Sequence, residues 1–184
     1  MHYALEDYVL DIAQNAVEAG AGLVGVEVDE TDEAVSVAIT DDGVGMTEEE
    51  VARALDPFYT DGKKHAKRKV GLGLPFLVQA ARQAEGSFGI ESRKGEGTRV
   101  SFSFPKGNVD APPVGDLPGL FRSILCLPGA HEMTIRRTRT SKSGDLSYEL
   151  SRKELAEALG GLERGDSLAM LRDFLVSQEE DETD

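Results

Sequence analysis

Four short stretches of this 184-residue chain carry residue types that could bind a charged ligand. Asp11 and Asn15 stand four positions apart, and Asp41 opens a stretch with glycine at the third and fifth positions. A second pair of glycines occupies positions 71 and 73, and Gly97-Thr98 comes last. Each stretch is common by itself, but all four in this order are a strong signal for a ligand site.

The residue types in these stretches suit a nucleotide. The amide of Asn15 is a neutral oxygen ligand of the kind that Mg²⁺ accepts. The carboxylate of Asp41 could accept a hydrogen bond from an adenine amino group, and glycines beside it would let the backbone approach a flat base. Glycines at the start of a helix direct backbone N–H groups toward phosphates. The sequence therefore predicts a nucleotide site.

The hydrophobic pattern predicts the elements that must position these residues. Apolar residues recur with helical period over residues 4–19, which places Asp11 and Asn15 on one helix face. Alternating residues predict two hairpins, with strands at 23–28 and 34–40 and at 87–92 and 98–104. Two further helices are predicted from 47 to about 55 and from 71 to about 85, the second ended by Gly86.

This order of elements predicts an α+β fold. The sheet is expected to be mixed but mainly antiparallel and covered on one face by helices, as a two-layer sandwich. We predict a ligand-binding domain over 1–106 and a linker rich in proline and glycine over 107–118. A small α+β extension with a hairpin and helices follows over 119–178, within which residues 120–125 are a short apolar piece, and 179–184 is an acidic disordered tail.

The motifs resemble those of the GHKL ATPase superfamily, which includes histidine kinases, gyrase-type topoisomerases, MutL, heat-shock-90 chaperones and anti-sigma-factor kinases. Residues 11–16 match its N box, 41–46 its G1 box, 56–59 the F box of the histidine-kinase branch and 71–74 its G2 box. The resemblance covers residues 4–104 and is closest to the histidine-kinase and anti-sigma-factor kinase branch. It implies the Bergerat ATP-binding fold, ATP with Mg²⁺, and a mobile lid between the F box and the G2 box.

The resemblance also implies roles for single residues. Asn15 would ligate Mg²⁺, and Asp41 would bind the adenine amino group with support from Thr98 through water. Asp11 stands where hydrolysing members carry a glutamate base, so it is the candidate catalytic residue, one methylene shorter. The other candidate nucleotide-binding residues are Gly43, Gly45, Met46, Phe58, Lys63, Lys64, Gly71, Leu72, Gly73 and Leu74.

Ordinary structural interpretations stay open beside these roles. Asp41 could be only a turn former, Asn15 an incidental buried amide, and Asp11 a solvated helix residue. The basic segment 63–69 could be a solvated run of charge. Outside the motifs, His131 is expected to have a core or surface role, Cys126 to be packed, and Arg136, Arg137 and Arg139 to lie on a solvated strand face.

Composition narrows the function classes. The net charge of −14 argues against general nucleic-acid binding, which depends on neutralising phosphates. No apolar run approaches the roughly 20 residues that span a bilayer, and the N-terminus has no signal-peptide pattern. The single cysteine excludes an internal disulfide. These observations predict a cytoplasmic protein that acts without nucleic acid or membrane.

The sequence leaves three functions open. We expect first a stand-alone module that binds ATP with Mg²⁺ and acts as an ATP-dependent switch, a slow ATPase, on a protein partner of unknown identity. The alternatives are a kinase that acts in trans on a partner's Ser, Thr or His, and a non-catalytic, nucleotide-dependent interaction module. Only about three residues precede the first predicted helix, so we expect no phosphoacceptor histidine segment within this chain. A homodimer is also open.

Overall fold

A computed structural model describes residues 4–57, 73–142 and 144–180 of the chain. In this part the elements alternate much as the hydrophobic pattern predicts. In chain order they are α1 (Leu5–Glu18), β1 (Leu23–Glu30), β2 (Ala34–Asp41), α2 (Glu48–Ala54), α3 (Gly73–Gln83), β3 (Ser87–Arg93), β4 (Gly97–Pro105), α4 (Leu117–Leu125), β5 (Glu132–Ser141), β6 (Gly144–Ser151), α5 (Arg152–Leu159) and α6 (Gly165–Glu179).

The strands form one six-stranded sheet in the order β3-β4-β2-β1-β5-β6. Strand β2 pairs antiparallel with β1 on one side and with β4 on the other, and β3 pairs antiparallel with β4. Strand β5 lies parallel to β1, and β6 pairs antiparallel with β5. The α+β class and the mixed, mainly antiparallel sheet are therefore confirmed.

The core lies between one face of the sheet and the helices. Every second residue of β1, namely Val24, Val26 and Val28, is buried, which is the pattern of a strand with one covered face. Helix α1 buries its apolar stripe against this face, and α3, α4 and α6 add buried leucines to the same core. This arrangement holds α1 over the central strands, so the polar residues of α1 are carried on a rigid element.

Residues beyond 106 join the same sheet, because β5 pairs with β1 along its whole length. Helix α4 begins at Leu117 with Asp116 as its N-cap, so the expected linker gives way to a helix two residues early and the predicted apolar piece is part of that helix. The domain boundaries stay a prediction.

The expectation that Arg137 lies on a solvated strand face is wrong. Its side chain is 1% exposed and pairs with Glu30 of β1 and with Glu179. Glu179, which the sequence assigned to the acidic tail, is the last residue of α6. The two carboxylates provide the pairing that a buried guanidinium needs.

Candidate nucleotide-binding site

Asp41 is the last residue of β2, where the sheet gives way to the first glycine-rich loop. Its Oδ1 accepts a hydrogen bond of 2.8 Å from the backbone N–H of Gly43, and the backbone N–H of Thr98 also donates to this carboxylate. Burial raises the pKa of Asp41, with a further rise from neighbouring Asp42, and these backbone bonds oppose the rise. A carboxylate has about four acceptor positions, so lone pairs remain for a ligand donor.

A row of polar side chains crosses the end of the sheet beside Asp41. Thr98 lies directly opposite Asp41 in the β2–β4 pairing, and Ser92 lies directly opposite Thr98 in the β3–β4 pairing. Directly opposite residues place their side chains on the same face of a sheet. In β2 this is the face of the buried Val37 and Ile39, so the row continues the helix-covered face at the edge of the core.

Two glycines let the loop after β2 pack against the β3–β4 hairpin. A Cβ on Gly45 would lie 1.9 Å from the carbonyl oxygen of Arg93, and a Cβ on Gly97 would lie 1.9 Å from the carbonyl oxygen of Asp41. Both residues have positive φ, +59° and +103°, which favours glycine. Close backbone packing therefore requires glycine at these two positions, whether or not a ligand also does.

Asp11 and Asn15 lie one turn apart on α1. The amide Nδ2 of Asn15 donates to Oδ2 of Asp11 over 3.3 Å, which leaves the amide oxygen of the exposed Asn15 as an acceptor. Burial raises the pKa of Asp11 and nearby Glu18 adds to the rise, while the bond from Asn15 opposes it. A neutral amide oxygen is a suitable ligand for Mg²⁺, so the residue present fits the expected ion.

The first turn of α3 lies against Asp11. A Cβ on Gly73, the first residue of α3, would lie 1.9 Å from Oδ2 of Asp11. The first backbone N–H groups of a helix have no intrahelical partner and favour anions. The Asp11–Asn15 pair and the start of α3 therefore lie next to each other.

Ala19, the C-cap of α1, connects the two halves of the site. Its backbone N–H donates to the carbonyl of Asn15 over 2.9 Å, and its own carbonyl accepts from the N–H of Val44 over 3.2 Å. A Cβ on Gly43 would lie 3.2 Å from the Cβ of Ala19. The glycine loop of Asp41 thus rests on the same end of the helix that carries Asn15.

The described residues bring most of the predicted site together. Met46 lies in the loop beside Ser92, and the partly buried Leu74 packs against the core beneath the start of α3. Five predicted residues lie outside the described residues, as does the predicted lid: Phe58, Lys63, Lys64, Gly71 and Leu72.

Sequence reasoning missed two residues that hold this site in place. The carboxylate of Asp42 accepts from the backbone N–H groups of Gly22 and Leu23, over 2.7 and 2.8 Å, and ties the loop to the start of β1. Ser92 binds both the loop and Thr98. The register of the predicted hairpin, with its turn at 93–97, could have placed Ser92 opposite Thr98.

Two concavities of the described surface lie away from these residues. One, of about 370 Å³, lies on the uncovered face of the sheet around Gly25 and Arg136. The other, of about 330 Å³, lies between the end of α2 and α3 and is lined mainly by apolar side chains such as Leu55 and Phe76. Neither concavity includes Asp11, Asn15 or Asp41. The candidate site is therefore identified from its polar side chains and not from a cavity.

Comparison with protein families gives an independent result. The model for the histidine kinase-, DNA gyrase B- and HSP90-like ATPases matches residues 3–108, more than half of the chain. The matched range contains every residue of the candidate site.

Curated relatives include several kinases. The chain is 31% identical over 104 residues to sporulation kinase E of Bacillus subtilis, covering 55% of this chain and 14% of that protein. It is 33% identical over 105 residues to the histidine protein kinase DivJ of Caulobacter vibrioides, covering 55% and 18%. The chain thus spans less than a fifth of the length of these two relatives.

Solved structures include the catalytic domain of the histidine kinase ThkA, with 24% identity and a TM-score of 0.43 over 54% of this chain and 64% of that one.

In the described part of the chain, the helices are too short or too polar to cross a membrane.

Proposed function

The chain belongs to the histidine kinase-, DNA gyrase B- and HSP90-like ATPase family, and from that premise we propose that residues 4–104 bind ATP with Mg²⁺ and act as an ATP-dependent switch on a protein partner. One observation carries the proposal. The half-buried carboxylate of Asp41 keeps free lone pairs, and Ala19 connects its loop to the Asp11–Asn15 pair beside the start of α3.

The two halves of the site have separate tasks in this proposal. Asp41 accepts a hydrogen bond from the adenine amino group, supported by Thr98. The amide oxygen of Asn15 holds Mg²⁺, which neutralises phosphate charge when bound, and the start of α3 at Gly73 binds the phosphates. Helix α1 and the end of the sheet hold these residues in position, because core residues fix the packing of both elements.

Asp11 is the proposed base for slow hydrolysis. In that step the oxygen of a water bonds to the terminal phosphorus, the bond from phosphorus to the bridging oxygen breaks, and ADP leaves. Asp11 takes the proton that the water loses. Its burial and raised pKa make it a better proton acceptor than an exposed aspartate, and the bond from Asn15 fixes its orientation.

A second candidate function is phosphoryl transfer to a partner protein. The observation that favours it is the naming of curated relatives as kinases, which share 31–33% identity with this chain over the matched region. In this case a hydroxyl or imidazole of the partner replaces the water as nucleophile. A non-catalytic module, which binds ATP and turns nothing over, is the third outcome that an experiment must separate.

Single-turnover reactions with excess protein and γ-labelled ATP separate these functions. We expect slow release of labelled phosphate by the wild type at saturating Mg²⁺ and a loss of roughly 10²-fold or more in Asp11→Asn at unchanged ATP affinity. Equal rates in the two proteins would exclude Asp11 as the base. Label that moves to a co-purified partner instead of water would favour the kinase, and tight ATP binding with neither result would favour the module.

A further inference from the structure

Ser92 of β3 connects the glycine loop after β2 to the β3–β4 hairpin. Three groups lie within hydrogen-bonding distance of its Oγ: the backbone N–H of Met46 at 2.8 Å, the carbonyl oxygen of Gly97 at 3.1 Å and the hydroxyl of Thr98 at 2.8 Å. The side chain is half-buried. The family roles described above do not use this residue.

The three contacts decide where the hydroxyl protons go. A serine hydroxyl has one proton to donate and two lone pairs to accept with. The carbonyl of Gly97 can only accept, so it takes the proton of Ser92, and the N–H of Met46 takes one lone pair. The remaining lone pair can only receive the proton of Thr98. Thr98 therefore donates its hydroxyl proton to Ser92. Toward a ligand, the hydroxyl oxygen of Thr98 can then only accept a hydrogen bond.

An acceptor at Thr98 matches its neighbour in the row. The carboxylate of Asp41, directly opposite Thr98, is also an acceptor, so both side chains present acceptors at this end of the sheet. Such a surface attracts a purine with an amino group at position 6 and disfavours one with a carbonyl there, since two facing acceptors would lose their hydrogen bonds.

We infer that Ser92 is a specificity-determining positioning residue, which fixes Thr98 as an acceptor and so makes the site prefer 6-amino over 6-oxo purine nucleotides. This inference rests on the proposed function, because it refines the same site. Ser92 acts through Thr98 and Met46 and touches no ligand in this account. Without its hydroxyl, Thr98 is free to rotate and to donate to a 6-oxo group.

The chain contains a matched control on the same two strands. Ser87 of β3 and Ser103 of β4 form the same kind of hydroxyl pair, with 2.7 Å between their Oγ atoms, at the far end of the hairpin. Ser87→Ala removes one hydroxyl from this pair as Ser92→Ala does from the other. Any effect of losing a strand serine in general appears in both variants.

The test is calorimetric titration of the whole chain with ATP and with inosine triphosphate, which carries a carbonyl at position 6. We expect Ser92→Ala to reduce the preference for ATP about fivefold or more, the order of one hydrogen bond, and Ser87→Ala to leave it unchanged. Ser92→Cys, which has a similar shape but only a weak hydrogen-bonding group, should act in the same direction and serves if Ser92→Ala does not fold.

The outcomes separate the inference from the proposed function. An unchanged ratio of the ATP and inosine triphosphate affinities in Ser92→Ala, whether both fall equally or neither changes, would overturn the role of Ser92 while wild-type ATP binding stands. An equal change of preference in Ser87→Ala would overturn it as well. A wild type that binds neither nucleotide would overturn the proposed function, and the inference with it.

Discussion

The carboxylate of Asp11 and the backbone of Gly73 are so close that no side chain fits between them. A Cβ at position 73 would lie 1.9 Å from Oδ2 and 2.6 Å from Cγ of Asp11. The base candidate on α1 and the phosphate-binding start of α3 are therefore coupled by direct packing. A side chain at position 73 would therefore displace the carboxylate of Asp11 without removing either Asp11 or the start of α3.

Gly73→Ala is expected to keep the fold and impair the chemistry. Alanine is favoured over glycine in helices by up to about 1 kcal/mol, but here the new methyl group displaces the carboxylate of Asp11. We expect ATP turnover to fall by at least about tenfold, because small displacements of catalytic groups are costly. Gly165→Ala is the matched control, since Gly165 is also the first residue of its helix and a Cβ there would meet open space. Equal turnover in wild type and Gly73→Ala would contradict the placement of Asp11.

Asn15→Ala should remove the dependence of ATP binding on Mg²⁺. The helix should not suffer, since Asn15 is exposed and alanine is the better helix former. Gln14→Ala is the control, because Gln14 is an adjacent exposed amide whose Nε2 donates to Glu18 and not to Asp11. ATP affinities measured with Mg²⁺ and with a chelator give the comparison. If Mg²⁺ strengthens binding equally in wild type and Asn15→Ala, Asn15 does not hold the ion.

His131 should make the fold less stable in mild acid. Its imidazole is 7% exposed, and neither ring nitrogen has a hydrogen-bond partner among the described residues. Burial lowers the pKa of His131, and nearby Arg152 lowers it further against the opposing effect of Glu132. Below the unfolded value of about 6.5 the unfolded chain binds a proton that the folded chain does not, so stability falls as pH falls, by at most about 1.4 kcal/mol per unit.

Denaturant unfolding at pH 7.5, 6.8 and 6.0 checks this, since most carboxyl groups protonate below that range. His131→Leu cannot take up a proton and should show a flatter profile than the wild type. Parallel profiles for the two proteins would show that His131 is not the group responsible.

Arg137→Met should be strongly destabilising. The substitution removes the guanidinium partner of Glu30 and Glu179, which leaves them Lys106 and Tyr148 respectively, and loss of one member of a buried pair costs about 3–5 kcal/mol. The neighbouring Arg136 is about half exposed and pairs with Glu27 at 2.8 Å, so Arg136→Met should cost no more than about 1 kcal/mol. Unfolding midpoints of the two variants decide the point. Similar midpoints would mean that the buried network adds little.

Local pattern was sufficient to predict the strands and helices around the candidate site, because alternation, caps and glycine spacing act over a few residues. Thr47 and Glu50, for instance, form a capping box at the start of α2, where the sequence predicts a helix from residue 47. Contacts distant in sequence were not predictable in this way. Arg137 reads as a surface strand residue until β5 is known to lie beside β1 and under the end of α6.

The end of α3 shows a second limit of local pattern. Gly86 was expected to stop this helix, but the residue with positive φ is Glu85, at +56°. Gly86 is instead required by packing, since a Cβ there would lie 2.0 Å from the carbonyl oxygen of Ser103. Only Ser103 of the neighbouring strand β4, which is 17 residues away in sequence, makes the glycine necessary.

The most direct measurement of the central claim is a calorimetric titration of wild type and Asp41→Asn with ATP at saturating Mg²⁺. The asparagine keeps the shape but loses the charge and presents a donor to the adenine amino group. We predict saturable, one-to-one binding by the wild type, much weaker binding of GTP, and ATP affinity reduced at least about 100-fold in the variant. An Asp41→Asn protein that folds and binds ATP as tightly as the wild type would contradict the account.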